Sequence, residues 1–415
     1  MKKIVLSIAA VMAAAAFAPE ASALPAFARQ TGMACSACHF QKFPVLNSFG
    51  RAFKAAGYTM MGAQGKIEGE HLSIPDTLNA AILAKVRYQK DNGPRTPQIA
   101  GAMNTPSDGM LQFGDEFSLF FGGRIAENIG FLFEGNTASV GGALLAGFKM
   151  PIGFEVGAAR LSVTPFTTDA LGAMYGFELS SGGVMRANRW AEHRTETSAV
   201  QYVNVAQAST GVTVSAQNDM GYITATKFAP AFAMGANGGA VPSYDMKNNY
   251  FRIAATPTVG DWAMVAGAGS FSGTSAAGLA NETRATFFDL QAHGEVAGNE
   301  MGVYAQHATA PASTLLTTNL FNAGLNARKA TTIGVDYSVI PHTLHIGAAY
   351  RNAKTGGVVG ADGDNAITLT AVYDLAQNVA LHLNHSSYSG SSRTATLAVP
   401  QPVTALTTFM LEAAW

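Results

Sequence analysis

Two runs set the pattern of the chain: Thr332-Ile333-Gly334-Val335-Asp336-Tyr337-Ser338-Val339 and, after Ile340-Pro341, Leu344-His345-Ile346-Gly347-Ala348-Ala349-Tyr350-Arg351. In the first, Ile333, Val335, Tyr337 and Val339 alternate with Thr332, Gly334, Asp336 and Ser338. In the second, Leu344, Ile346, Ala348 and Tyr350 alternate with His345, Gly347, Ala349 and Arg351. A period of two is strand geometry, and a tight break between two such runs is a hairpin.

The same alternation recurs at Glu116 to Phe121 and at Ile367 to Asp374. Tight connections fall near Leu375-Ala376, Ile340-Pro341, Gly294 to Gly298, Pro257 to Gly260, Asn218-Asp219 and Pro151. Long Gly/Ala/Ser/Pro-rich stretches lie between them, at 388–404, 352–365, 309–328, 271–283, 228–247 and 91–112. Short and long connections that alternate in this way are the pattern of a transmembrane β-barrel. The polar stretch 180–197, with Arg186, Arg189, Trp190, His193 and Arg194, breaks the rule, being long where a short turn is due. The expected fold is all-β, an antiparallel barrel of about 16–18 strands over residues 78–415 that ends on the aromatic Trp415.

Composition agrees. The chain is 48% hydrophobic and 13% charged, with 44 glycines and a net charge of −1. A soluble protein carries about a quarter charged residues. With no strongly basic patch there is no electrostatic case for nucleic acid. No segment after the first two dozen residues offers 18 uninterrupted apolar positions, so membrane helices are not expected there. At the N-terminus, Lys2-Lys3, the apolar run Ile4 to Ala18 and Ala21-Ser22-Ala23 read as a signal peptide, residues 1–23, cleaved after Ala23. The expected location is the outer membrane of a Gram-negative bacterium, with lipid around the barrel.

Between signal and barrel, residues 24–77, lies Cys35-Ser36-Ala37-Cys38-His39, which holds both cysteines of the chain. A C-x-x-C-H run is the attachment pattern of a c-type haem, with two thiols on one turn and an imidazole next to them. Zinc would need a second pair of ligands, and no further cysteine exists. A thioredoxin-like pair would need a βαβ unit, and none is suggested here. Export across the inner membrane fits covalent haem.

The segment after His39 reads as a helix, with Pro44 in its first turn and Gly57 at its stop. Leu46, Phe49 and Phe53 form one apolar face, fit to lie on a porphyrin; Arg51 and Lys54 are either partners for haem propionates or simply solvated. Candidates for the second axial ligand are Met60, Met61 and His71, with Met60 or Met61 preferred and Met33 set aside as too near the attachment turn. An open sixth position, or ordinary packing methionines, are the competing readings. So short a helical segment would barely build its own core and is expected to borrow packing from the barrel.

The run Pro25-Ala26-Phe27-Ala28-Arg29-Gln30-Thr31-Gly32, the haem motif, and Pro44-x-Leu46-Asn47-x-Phe49-Gly50-Arg51-x-Phe53-Lys54-x-x-Gly57-Tyr58 resemble the fused cytochrome–porin family. This family places one c-type haem before an outer-membrane barrel, and its best-known members are iron oxidases. The resemblance is specific over residues 25–58 and architectural beyond them. It implies haem c held covalently by Cys35 and Cys38, with His39 as axial ligand to the haem iron. It also implies ferrous iron as extracellular electron donor and a periplasmic c-type cytochrome as acceptor.

Hard oxygen ligands and imidazole suit iron, and His345, His382, His385, Asp289, Asp336 and Glu134 fall within strand runs. Porin lumens are polar in any case, so none of these is assigned as a site. Two alternatives stand beside the iron-oxidase reading: a conduit for another extracellular donor or acceptor, and a diffusion porin with a haem plug. No G-x-S-x-G, P-loop or H-E-x-x-H motif competes.

Overall fold

The structure is a computed structural model. It describes residues 25–62, 64–70, 72–94, 106–137, 144–185, 196–232, 246–277, 279–394, 396 and 401–415. The expected signal peptide, His71 and the polar residues Arg186, Arg189, Trp190, His193 and Arg194 lie outside them.

Sixteen antiparallel strands close into a barrel among the described residues. They are β1 Ala80–Asp91, β2 Met110–Ala126, β3 Ile129–Asn136, β4 (Leu145–Lys149 with Ile152–Val156), β5 Ala159–Thr168, β6 Ser209–Asn218, β7 Gly221–Ala229 and β8 (Asn248–Ala255 with Thr258–Val259). Then come β9 Trp262–Ala277, β10 Ala285–Val296, β11 Asn299–Ala310, β12 Arg328–Ile340, β13 Leu344–Thr355, β14 Asn365–Ala376, β15 Val379–Ser389 and β16 Ala405–Ala414. The ring closes where β16 pairs with β1, Leu406 opposite Asp91 and Ala414 opposite Leu83. The expected strand number is met at its lower end.

The alternation read from sequence is the alternation of faces. In β12, Thr332, Asp336 and Ser338 are buried toward the lumen, whereas Ile333 is 50% exposed on the outside. Ile346, Ile367, Leu369, Leu383 and Phe409 continue that outward apolar surface. An apolar band of this extent belongs in lipid.

At one end the strands are joined by two or three residues, as at Ala297-Gly298, Pro341 to Thr343 and Gln377-Asn378. Pro151 does not turn the chain, contrary to expectation. It interrupts β4 between its two halves, because proline has no N–H for the ladder. The turn comes later, at Gly157-Ala158, where Gly157 has φ +60. With that turn moved, residues 169–208 fall at the long-connection end. The exception at 180–197 disappears.

The described residues of this connection, 169–185 and 196–208, fold inward and carry a short helix, Ala199–Tyr202. Met174 and Val200 pack against Tyr250, Phe271 and Phe287 of the wall in one apolar core. A barrel lined only by polar groups would not form such a core; here the insertion supplies the facing apolar surface.

The N-terminal segment lies inside the opposite end. It consists of α1 Pro25–Thr31, α2 Cys35–Cys38, α3 Ser48–Ala55 and a small hairpin, Lys66–Gly69 with Leu72–Pro75. The Cys35 N–H donates to Gln377 Oε1 (3.1 Å), Gln217 Nε2 donates to the Ala55 carbonyl (2.9 Å) and Gln41 Nε2 to the Glu300 carbonyl (2.8 Å). Gln377, Gln217 and Glu300 all stand beside short connections. The segment thus borrows its packing from the barrel, as its length required.

Candidate functional site

The helix after His39 starts later than the sequence suggests. Asn47, not Pro44, opens it: its Oδ1 accepts the Gly50 N–H at 2.9 Å, an N-cap, and the helix runs Ser48–Ala55. Gly57 ends it as expected, with φ +75 and its N–H donated to the Lys54 carbonyl at 3.0 Å. Asn47 has a second task. Its Nδ2 donates to the carbonyls of Ala37 (3.0 Å) and Ser36 (3.3 Å), so one side chain ties the C-x-x-C turn to the start of α3.

Between these elements the chain doubles back. The Phe40 N–H meets the Val45 carbonyl at 2.8 Å, and the Asn47 N–H meets the Cys38 carbonyl at 3.0 Å. The Val45 carbonyl also lies 3.2 Å from His39 Nδ1. A carbonyl only accepts, so Nδ1 carries the proton and Nε2 keeps its lone pair for a metal. Burial pushes the His39 pKa down to about 4, which keeps the ring neutral and able to ligate near neutral pH. Burial pushes the Cys38 thiol up.

Cys35, Cys38 and His39 together line one cavity of about 360 Å³. That size falls within the roughly 300–1,000 Å³ of pockets that hold cofactors and ligands. Its apolar walls include Phe43, Leu46 and an aromatic cluster in which Phe27 stacks on Tyr58 at 4.9 Å and meets Phe53 edge-on at 5.3 Å. The cavity continues along the barrel wall past Lys85, Glu116 and Glu134 to Asp169 at the root of the insertion. Lys85 pairs with Glu116 there. Burial pushes the Asp169 carboxyl up.

The other expected residues divide. Leu46 and Phe53 line the cavity, but Phe49 is 36% exposed and does not. Arg51 and Lys54 are both buried, so the solvated reading fails for each. Lys54 lines the cavity, while Arg51 donates to Ser48 Oγ at 3.1 Å. Neither Met60 nor Met61 lines the cavity, and Met60 is 36% exposed with its carbonyl accepting from Gln30 Nε2. The methionine on the cavity wall is Met33. Among strand residues, His345 pairs with Asp374 at 3.0 Å and Asp336 with Lys42 at 3.3 Å, whereas His385 faces outward. Among the described residues no group of three or more His, Cys, Asp or Glu is placed to hold a metal ion.

Sequence reasoning missed the buried cluster around Arg252. Its guanidinium is bidentate to Asp289 (2.6 and 2.9 Å) and lies 2.9 Å from Glu178 of the insertion. Arg252 and Asp289 sit at lumenal positions of separate strands and Glu178 on the insertion, and nothing in the sequence signals that the three converge.

These residues define a closed lipid-facing barrel whose lumen holds two thiols and an imidazole on one cavity. No family model matches the chain, and no curated protein matches it. Among solved structures, OprB of Pseudomonas putida is similar, with a TM-score of 0.53 at 8% identity over 82% of this chain and 94% of that one. The outer membrane channel DcaP of Acinetobacter baumannii is similar with a TM-score of 0.51 at 9% identity, over 85% of this chain and all of the other. At such identities the likeness establishes the barrel fold.

Proposed function

We propose that this chain is an outer-membrane electron-transfer protein of the fused cytochrome–porin type. It takes electrons from extracellular ferrous iron and passes them to a periplasmic c-type cytochrome. The observation that carries this reading is the convergence of Cys35, Cys38 and His39 Nε2 on one apolar-walled cavity inside the barrel.

The residues fit a haem c. Cys35 and Cys38 would hold it through thioethers, His39 Nε2 would ligate its iron, and Lys54 is a cation on the same wall. When bound, such a group supplies one-electron redox chemistry, tuned by its axial ligand and its burial. The protein's own work is placement. Val45 fixes the imidazole tautomer, Asn47 clamps the attachment turn, and Phe27, Phe53 and Tyr58 exclude water. The short-connection end corresponds to the periplasm, so the attachment turn lies near the acceptor. Each ferrous ion gives up one electron and becomes ferric outside the cell, and one acceptor molecule is reduced inside.

The fold favours a second reading, because the similar structures are outer-membrane proteins that include a named channel. In that reading the chain is a diffusion porin closed by an N-terminal plug. Visible spectra of the detergent-held protein, before and after anaerobic addition of ferrous iron, separate the two. The electron-transfer reading expects prompt growth of reduced haem bands that Cys38→Ala abolishes. Haem that dithionite reduces and ferrous iron leaves oxidised would sink it.

A further inference from the structure

The outward face of β11–β13 changes character toward the long-connection end, and the strand register lays the change out in rows. Ala305, Ile333 and Tyr350 stand opposite one another on the three strands. Ile333 is 50% and Tyr350 43% exposed, so this row belongs to the lipid-facing band, with an aromatic of the kind that marks its edge. The next row outward is His307, Thr331 and Asn352, all exposed, with His307 Nδ1 2.9 Å from Thr331 Oγ1. The last row is Thr309, Lys329 and Lys354. Ala308, Ala330 and Ala353, between these positions, are buried in the lumenal core, so the polar side chains point out of the barrel.

Lys329 and Lys354 are direct register partners on one face, with Cβ atoms about 5 Å apart. Like charges so placed destabilise a strand pair unless an anion sits beside them. Lys354 is answered by Asp362 at 3.2 Å, whereas Lys329 has no carboxylate partner among the described residues. The two polar rows contain no carboxylate that would repel an anion. The lysines stand four residues, about 13 Å along the strand, beyond Ile333 and Tyr350, at the level of lipid headgroups. From the band outward the surface thus offers apolar side chains, then hydroxyl, amide and imidazole, then ammonium. That order matches a lipid whose acyl chains lead to a sugar bearing phosphate.

We propose that the outward face of β11–β13 binds a phosphorylated glycolipid of the outer leaflet, with a phosphate on Lys329 beside Lys354 and the sugar against Thr331 and Asn352. The inference rests on the barrel and its orientation and does not depend on haem. An ammonium bound to phosphate makes charge-assisted hydrogen bonds, and the anion removes the repulsion between the two lysines.

Native mass spectrometry of the full-length, delipidated protein held in detergent tests it, with diphosphoryl lipid A as the probe. Monophosphoryl lipid A and inorganic phosphate are the comparators. Diphosphoryl lipid A should be retained, the monophosphoryl form more weakly, and millimolar phosphate should not displace either. Lys329→Gln should weaken retention about ten-fold, the scale of one hydrogen bond to a charged group, and Lys329→Arg should keep most of it. Lys329 is exposed and faces a like charge, so the unfolding temperature of Lys329→Gln should be no lower than wild type. Lys227, outward on β7 between Val212 and Asn249, has no lysine beside it, and Lys227→Gln should leave retention unchanged. Undiminished retention in Lys329→Gln, an equal loss in Lys227→Gln, displacement by phosphate alone, or self-association of the chain in place of bound lipid would overturn the proposal.

Discussion

Arg252 Nε, on barrel strand β8, stands 2.9 Å from the carboxylate of Glu178, on the insertion that fills the lumen. Both side chains are fully buried, and Tyr222 donates to the same carboxylate at 2.7 Å. Removing one partner of a buried pair costs about 3–5 kcal/mol, because the other charge stays behind. Asp289 still faces Arg252, so Glu178→Ala is expected at the low end of that range. The consequence is local: the insertion loses one of its ties to the wall, beside the Arg351–Glu196 pair and the apolar core that remain. In planar bilayers the wild type should show little steady conductance and Glu178→Ala should show frequent openings. A wide, steady wild-type conductance would favour the diffusion-porin reading instead.

The same carboxylate predicts an acid response. Burial pushes the Glu178 carboxyl up, but Arg252, the Ser180 N–H and Tyr222 outweigh it and hold the group below its ordinary range. A depressed carboxylate contributes stability above its unfolded value, near 4.3, and loses it as pH falls through the lower folded value. The unfolding-temperature gap between wild type and Glu178→Gln should therefore be constant from neutral pH to about 5 and shrink below about 4. A gap that widens on acidification would contradict the assignment.

The barrel was readable because a period of two is the one signal that lipid outside and polar lumen inside impose on every strand. Ile333 and Asp336 could not exchange faces without putting a carboxylate in lipid. The C-x-x-C-H run is legible in the sequence as a spacing, and the structure brings Cys35, Cys38 and His39 onto one cavity. The interior was not legible. The polar stretch 180–197 reads as an overlong turn, since nothing local says that Met174 and Val200 on either side of it will face Tyr250 and Phe287 across the lumen. Pro151 misled because proline marks a break in hydrogen bonding, and a strand can break without turning. Met60 and Met61 lie near His39 along the chain, yet neither lines the cavity, because chain distance does not measure distance around it.

At Gly50 α3 passes close against the Cys35–Cys38 turn. A Cβ there would run into the Cys38 carbonyl oxygen, a backbone atom that cannot swing away. In an open helix Gly→Ala adds up to about 1 kcal/mol of stability. Here Gly50→Ala should do the reverse and shift Cys38 relative to His39. The measurement is haem-linked peroxidase staining on denaturing gels, normalised to protein. Staining equal to wild type would show that the turn tolerates the displacement.

Asn47 separates two roles by its two ends. Its oxygen caps α3 through Gly50 N–H, and its nitrogen holds the carbonyls of Ser36 and Ala37. Asn47→Ala removes both and should cost about 1–2 kcal/mol for the cap alone. Asn47→Asp keeps the cap but turns a donor into an acceptor facing two carbonyls. Unfolding temperature should fall most for Ala, while haem retention should fall for both. Wild-type haem retention in Asn47→Asp would limit the residue to capping.

Methionine ligation gives the last test, because the cavity wall carries Met33 and carries neither Met60 nor Met61. A thioether sulfur reaches iron only from the space in which the iron sits, and a sulfur ligand raises the potential and alters the visible spectrum. Met60→Leu and Met61→Leu should leave both the spectrum and the midpoint potential of the haem-loaded protein unchanged, since Met60 is turned partly to solvent. Met33→Leu is the change expected to move them, downward in potential, if sulfur occupies the sixth position. Unaltered spectra in all three variants would assign that position to a non-sulfur ligand or leave it open to substrate. A shift in Met60→Leu or Met61→Leu would mean that the segment after Gly57 rearranges when haem binds.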